Sequence, residues 1–212
     1  MTGRRARSPA TVLPACSLAS SGVPEALELL AVEASTCTRC RLSEGRTQVV
    51  FGMGNPAAGL MFIGEGPGEQ EDRQGLPFVG RSGQLLDRLL REELGITRDR
   101  VYIANVVKCR PPGNRDPKPD EIDACRPYLQ QQLDLIRPAA VVTLGRFAAQ
   151  WLLETTEGIT RLRGRSYPFA HGVLIPTLHP AAALRGGAEP LGQMRADFVR
   201  AKVALTDAGV AL

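Results

Sequence analysis

Four short apolar runs constrain the fold of this chain more than any other feature of its sequence. They span 59–64 (GLMFIG), 101–107 (VYIANVV), 139–145 (AAVVTLG) and 173–180 (VLIPTLHP). Each run is continuously apolar rather than alternating, and segments with helical spacing separate them. This pattern is typical of a parallel sheet whose two faces are both covered by helices, so the sequence predicts an α/β fold.

Five segments have the apolar spacing of amphipathic helices. They span 24–35, 82–95, 118–138, 146–154 and 191–209. In the second and third of these, Ser82 is placed to cap a helix, Gly95 to end it and Pro119 to open the next. Ligands of parallel sheets bind beyond the carboxyl ends of the strands, so functional residues are expected directly after each strand.

The length of 212 residues suits a single domain, which we assign to 23–212. Residues 1–22 are basic at the start and read as a disordered arm, with Cys16 as a bystander. The net charge of +4 permits binding to a polyanion without requiring it. No apolar run approaches the roughly 20 residues of a membrane span.

The loop after the first strand, 63–83 (IGEGPGEQEDRQGLPFVGRSG), is rich in glycine and leads into a helix. Such loops usually bind phosphate, yet this one carries the carboxylates Glu65, Glu69, Glu71 and Asp72. It also lacks the Lys-Ser/Thr of a P-loop and the full G-x-G-x-x-G of a dinucleotide-binding turn. A nucleotide-binding enzyme is therefore disfavoured.

Four cysteines have the spacing of a metal site. Cys37 and Cys40 form a C-x2-C pair, and Cys109 and Cys125 follow as C-x15-C. Scattered buried thiols are one alternative, and disulfides are less favoured because nothing in the sequence indicates export. A tetrathiolate site fits better, and the spacing leaves zinc and an iron–sulfur cluster equally open.

Basic residues lie next to three of these cysteines in the sequence, Cys40, Cys109 and Cys125. They are Arg39, Arg41, Lys108, Arg110 and Arg126. A cluster held by four thiolates is anionic, and neighbouring cations would offset that charge. The same cations are also suited to phosphates.

Several motifs occur together in an order that resembles the family 4 uracil-DNA glycosylases. They are C-x2-C, GEGPGEQED, GLPFVGRSGQLLD, NVVKCRPPGNR, the second cysteine pair and LHPAAAL. The resemblance runs from about Cys37 to the final helix. Members of that family are bacterial and archaeal base-excision repair enzymes that carry a [4Fe-4S] cluster.

The resemblance implies a three-layer α/β/α fold around a four-stranded parallel sheet. It also implies that Cys37, Cys40, Cys109 and Cys125 ligate a structural [4Fe-4S] cluster. The expected substrate is uracil-containing DNA, single- or double-stranded, and the expected state is a monomer in the cytoplasm, associated with the nucleoid.

Four residues acquire roles in uracil excision through the resemblance. Phe78 would stack on the flipped base, and the Asn105 amide would pair with uracil O4 and N3–H. His179 would donate to O2 as uracil leaves as an anion. Glu65 would position the attacking water or stabilise the positive sugar.

Further contacts follow from the same resemblance. Gly66 and Gly68 would bring backbone close to the base, and Glu71 and Asp72 are either pocket residues or solvated loop carboxylates. Arg185 would contact a phosphate or a DNA groove, and Ser82, at a helix N-terminus, would hold a phosphate. Relatives usually have a bulky residue shortly after the His-Pro pair, whereas this chain has three alanines there, so Leu184 is the expected wedge.

Two other functions remain open from the sequence. One is a non-catalytic iron–sulfur DNA-binding protein of the same fold, and the other is a glycosylase for a different deaminated base. The presence of Phe78, Asn105 and His179 together favours an enzyme over a protein that only binds DNA.

Overall fold

The computed structural model describes residues 22–170 and 172–211, and a six-stranded sheet forms its centre. The strands are β1 Met53–Gly54, β2 Leu60–Gly64, β3 Tyr102–Asn105, β4 Ala140–Leu144, β5 Tyr167–Phe169 and β6 Gly172–Thr177. Their order across the sheet is β1-β3-β2-β4-β6-β5. The inner four are mutually parallel, whereas β1 and β5 pair antiparallel at the two edges.

The expected four parallel strands are all present, but the prediction of a four-stranded sheet is wrong in number. The two missed strands are only two and three residues long. Segments this short carry no periodic signal, and β5 contains Pro168, which is tolerated because an edge strand needs fewer ladder hydrogen bonds.

The helices in the described part of the chain include all five expected segments. They are α1 Val23–Ser35, α2 Glu69–Gln74, α3 Arg81–Leu89, α4 Pro119–Ile136, α5 Arg146–Leu152, α6 Ile159–Leu162, α7 Pro180–Gly186 and α8 Ala188–Asp207. A π-helical turn, Leu90–Leu94, continues α3 and ends at Gly95, which is left-handed as expected. The short helices α2, α6 and α7 were not predicted.

One predicted cap is wrong. The N-cap of α3 is Gly80, which has no side chain to bond the helix, and Ser82 lies inside the first turn. The N-cap N–H is bonded from outside the helix, because Glu71 Oε1 accepts from the Val79 and Gly80 N–H groups. A local capping rule cannot detect such a tertiary cap.

Alternate strand residues face two separate apolar cores, which confirms the three-layer architecture. In β2, Leu60 and Phe62 face the layer of α3, α7 and α8, while Met61 and Ile63 face α1, α4 and α5. The Phe62 and Phe198 rings lie 5.2 Å apart between the sheet and α8. The strands are therefore buried on both faces, as their continuous apolar character predicted.

The four parallel strands end along one edge of the sheet. The chain leaves the central strand β2 for β3 on one side and later returns to β4 on the other, so a crevice opens after β2. In the described part of the chain, no helix has the length and apolar character required to cross a membrane. The predicted basic arm 1–22 lies almost entirely outside the described residues.

Candidate functional site

A cleft of about 560 Å3 lies at the carboxyl edge of the parallel strands. It brings together the residues expected to handle the base: Glu65, Gly66, Gly68, Phe78, Asn105 and His179. Glu71, Ser82 and Arg185 also line it. Segments more than a hundred residues apart in sequence thus meet where the sheet topology predicts a ligand.

Asn105 lies at the base of the cleft with an unmet hydrogen-bonding atom. Its side chain is 1% exposed, and Oδ1 has no hydrogen-bond partner within the described residues. Gly64 lies beside it in register on β2, and a Cβ there would come 2.4 Å from Asn105 Oδ1 and 2.5 Å from Phe78 Cζ. An unpaired buried acceptor is costly, so it is suited to a ligand that donates to it.

Phe78 forms one wall of the cleft from a fixed and unusual backbone. Its φ of 53° is left-handed, which is uncommon for a non-glycine residue. Arg98 Nη2 donates to its carbonyl at 2.9 Å, and Gly83 packs so closely that a Cβ would lie 1.7 Å from that oxygen. The backbone that carries the ring is therefore closely held, which favours a fixed stacking surface.

The protonation of His179 is set by its surroundings. Its Nδ1 accepts the Ala181 N–H at 3.2 Å, so in the neutral ring the proton lies on Nε2. Burial, followed by the Arg185 cation, lowers the pKa of His179 to about 4, against an opposing effect of Glu71. At neutral pH His179 is thus an uncharged donor, and its ring centroid lies 6.1 Å from that of Phe78.

A buried ion pair holds the end of β6, the strand that precedes His179. Asp197 on α8 accepts from Thr177 Oγ1 at 2.8 Å and from two nitrogens of Arg163, both at 3.0 Å. Thr177 is the last residue of β6, two positions before the histidine. On the other side, a Cβ on Gly145 would lie 3.1 Å from the Cβ of His179, so this glycine allows close packing.

Glu65 follows β2 at the crevice and is abnormally basic. Burial and, next, the nearby Asp116 raise the pKa of Glu65 to about 7, while Arg146 opposes the shift. Asp116 and Arg146 form an ion pair between the loop after β3 and the start of α5. Strong perturbation of a carboxyl in a cleft is typical of a catalytic acid or base.

Two carboxylates of the acidic loop hold the site in place. Glu71 lines the cleft, but its Oε1 binds the Val79 and Gly80 N–H groups next to Phe78. Asp72 is buried and accepts the Thr47 N–H with both oxygens, at 2.9 and 3.1 Å. Two of the four carboxylates of this loop therefore bind backbone N–H groups, a role that needs no phosphate ligand.

The rim of the cleft contains the candidate DNA contacts. Ser82 lies in the first turn of α3, and Arg185 projects from α7. Leu184 does not line the cleft but is 42% exposed beside Arg185, as a residue that enters DNA would be. Residues that the sequence reasoning did not single out also line the rim: Arg81, Asn114, Arg115 and Asp116. Three of these lie in the loop after β3, and loops that follow strands at the carboxyl edge of a parallel sheet are where ligand contacts are expected.

The four cysteines line one small cavity on the α1 and α4 side of the sheet. Cys37 and Cys40 follow α1, Cys109 follows β3, and Cys125 belongs to α4. Burial raises the pKa of the Cys125 thiol to about 11 and raises those of Cys40 and Cys109. Thiols in such surroundings become thiolates when a metal centre replaces their protons.

The cations at this cavity differ from those expected from sequence adjacency. Arg39 and Lys108 line it, but Arg46 donates to Cys109 Sγ at 3.4 Å and was not predicted. Of the others, Arg41 pairs with Glu44 at the surface, Arg110 with Glu69, and Arg126 stacks on Trp151. A neighbour in sequence can point away, because successive side chains take different directions.

The thiols surround the cavity without meeting at one point. Within 22–170 and 172–211, no three His, Cys, Asp or Glu side chains converge as ligands of a single metal ion. A tetrahedral zinc site requires four sulfurs around one ion, whereas a cubane cluster binds each cysteine at a different iron.

Known proteins resemble this chain over most of its length. The model of the uracil DNA glycosylase superfamily matches residues 51–202. A type-4 uracil-DNA glycosylase of Sulfurisphaera tokodaii is 48% identical over 168 residues, 76% of each chain. Enzymes of the same name from Saccharolobus solfataricus and Thermotoga maritima are 45% and 46% identical, over 88% and 79% of this chain and 89% and 88% of theirs.

Proposed function

The chain belongs to the uracil DNA glycosylase superfamily, and we propose that it removes uracil from DNA as a type-4 enzyme. It hydrolyses the N-glycosidic bond and leaves an abasic site, the first step of base-excision repair. The observation that carries this function is the convergence of Asn105, His179 and Glu65 on one cleft beside the Phe78 ring.

Base recognition requires the nucleotide to leave the duplex. Asn105 lies too deep to meet a base that remains in the stack, so uracil must be flipped into the cleft. There Phe78 offers an aromatic face, and the unpartnered Asn105 Oδ1 accepts uracil N3–H while the amide donates to O4. Cytosine presents the reverse donor and acceptor pattern, and the resulting unpaired groups would cost roughly 1–3 kcal/mol each.

His179 assists the departure of uracil. The bond breaks as the sugar becomes positive and the base becomes an anion. The Nε2–H of a neutral His179 donates to O2, where negative charge grows only as the bond breaks. Because the low pKa keeps the ring uncharged, His179 acts as a hydrogen-bond donor and retains its proton at neutral pH.

Glu65 acts on the sugar side of the bond. Above pH 7 its carboxylate is ionised, and it then stabilises the positive sugar and orients the attacking water. Gly66 and Gly68 line the same wall without side chains, which leaves space for the nucleotide beside Glu65.

DNA is held at the rim of the cleft. Arg185, Arg81 and the first turn of α3 with Ser82 bind phosphates, and Leu184 fills the space that the flipped nucleotide leaves. The protein acts as a monomer at the nucleoid, on uracil in either single or double strands. The basic arm adds affinity that does not depend on sequence, through Arg4, Arg5 and Arg7.

The cysteine cavity is suited to a [4Fe-4S] cluster. Four thiols from three separate parts of the chain line it, and Arg39 and Arg46 supply positive charge against an anionic centre. Cys37, Cys40, Cys109 and Cys125 would hold the cluster. Its contribution would be structural, since it would tie α1, the loop after β3 and α4 together.

Product analysis on defined oligonucleotides tests the function. Purified protein is incubated with single- and double-stranded oligonucleotides that contain one uracil, and abasic sites are revealed by alkaline cleavage. Matched oligonucleotides with hypoxanthine or thymine test the alternative of another deaminated base, and a cytosine oligonucleotide is the control. Binding to uracil DNA without cleavage of any substrate, by protein with its full iron content, would refute the enzyme and support a DNA-binding protein.

A further inference from the structure

Lys108 is a buried cation that the reaction described above does not use. Its side chain is 1% exposed. Nζ donates to the Asn105 carbonyl oxygen at 2.9 Å and to Gln132 Oε1 at 2.6 Å, and it lies 5.7 Å from the centre of the Phe51 ring. Burying a charged ammonium group costs free energy, so a functional reason for its position is expected.

Lys108 belongs to a network that joins the cysteine cavity to the base of the cleft. Its backbone N–H donates to Cys125 Sγ at 3.2 Å, and its carbonyl accepts from Val50 at 2.8 Å. On the far side, Gln132 Nε2 donates to the Phe51 carbonyl and the Tyr102 hydroxyl, at 3.0 and 3.2 Å. Within the described residues no carboxylate forms a salt bridge with Lys108.

The orientation of the Asn105 side-chain amide depends on the position of the Asn105 backbone. Because its Oδ1 has no partner within the described residues, that atom gives the amide no hydrogen bond before uracil arrives. The orientation of the amide depends instead on where the Asn105 backbone lies at the end of β3. The Lys108 side chain folds back over three residues and holds that backbone by its carbonyl.

We propose that Lys108 is a positioning residue for Asn105. It fixes the backbone bend after β3 and so orients the Asn105 amide toward uracil. The inference rests on the proposed function, since it assigns Lys108 a part in uracil recognition. A site must hold its polar groups within a fraction of an ångström of the productive geometry, and a charge-assisted bond to a carbonyl provides such rigidity.

A double-mutant cycle tests this. Lys108→Met keeps the length of the side chain without its charge, and it is made in the wild type and in an Asn105→Ala background. Gln132→Met is the matched control, because it disrupts the same network but keeps the Lys108–Asn105 bond. Each variant is checked for folding and for visible absorbance before kcat and KM are measured on a uracil oligonucleotide.

We expect Lys108→Met to lower kcat/KM about tenfold in the wild type, mainly through kcat, with the absorbance retained. In the Asn105→Ala background the same change should matter less than about twofold, because the residue it acts through is gone. Gln132→Met should lower stability while kcat stays within about threefold of wild type.

Equal effects of Lys108→Met in both backgrounds, or equal kinetic defects in Lys108→Met and Gln132→Met, would overturn the inference. Loss of visible absorbance in Lys108→Met would also overturn it, by assigning the residue to the cysteine site. If the Met variant is insoluble, Lys108→Gln, which keeps a donor but no charge, takes its place in the cycle. A wild type that excises no uracil would instead refute the proposed function.

Discussion

The pH dependence of excision provides the sharpest test of the site, because it isolates Glu65. Burial and the Asp116 charge raise the pKa of Glu65 from 4.5 to about 7, so the carboxylate form that assists the reaction is present above pH 7 and is lost as the pH falls. His179, with a pKa of about 4, stays neutral throughout the range from pH 5 to 8. The acid limb of the pH profile, which is the fall in rate below pH 7, is therefore due to the protonation of Glu65.

The size of the effect follows from the ionised fraction. One pH unit below a pKa of about 7, only about a tenth of Glu65 is ionised, so kcat/KM at pH 6 should be about tenfold below its plateau. At pH 5 the fall should be about a hundredfold. Glu65→Gln should give a low rate without this limb.

Changing the neighbours of Glu65 should move the limb in opposite directions. Asp116→Asn removes a repelling charge and should shift the limb to lower pH with the plateau nearly unchanged. Arg146→Gln removes the opposing cation and should shift it to higher pH. The measurement is kcat/KM on a uracil oligonucleotide at constant ionic strength from pH 5 to 8. A flat wild-type profile, or a limb that survives in Glu65→Gln, would refute this role.

Four further outcomes are expected. Asn105→Asp should lower the rate of uracil excision about a hundredfold or more, because the carboxylate repels uracil O4. Alkaline-cleavage assays at low pH should also show a partial gain of activity on cytosine. Full uracil activity in a folded variant would show that Asn105 does not recognise the base. Gly64→Ala should block excision with visible absorbance retained, since its Cβ would lie 2.4 Å from Asn105 Oδ1, whereas Gly192→Ala, with open space around it, should be active. The pure protein should be brown with about four irons per chain, and stoichiometric zinc without iron would contradict this. Cys109→Ala should lower the stability of the protein more than it lowers the rate of the folded fraction. Deletion of 1–22 should leave the domain active, and a folded but inactive truncation would place the arm in the site.

Much of the fold was determined by the sequence alone. The four inner strands are buried on both faces, so each appears as a continuous apolar run, and the helices between them keep their amphipathic spacing. A parallel sheet places its carboxyl ends along one edge, so Asn105 and His179 were expected to meet before any contact was known. The burial of each strand is a local property, so the apolar pattern of a single sequence shows it directly. The helix between successive strands indicates that those strands are parallel.

Tertiary structure decided which charged groups act together. The sequence gives no sign that Glu71 caps α3 from a distance or that Arg46 reaches Cys109 Sγ, although both lie close to predicted site residues. It equally hides the pairing of Asp116 with Arg146 beside Glu65. These contacts join residues brought near by packing of whole elements, and the orientation of a long side chain depends on neighbours from other segments. The two edge strands were missed for a related reason, since two or three residues hold a β conformation only because a neighbouring strand pairs with them.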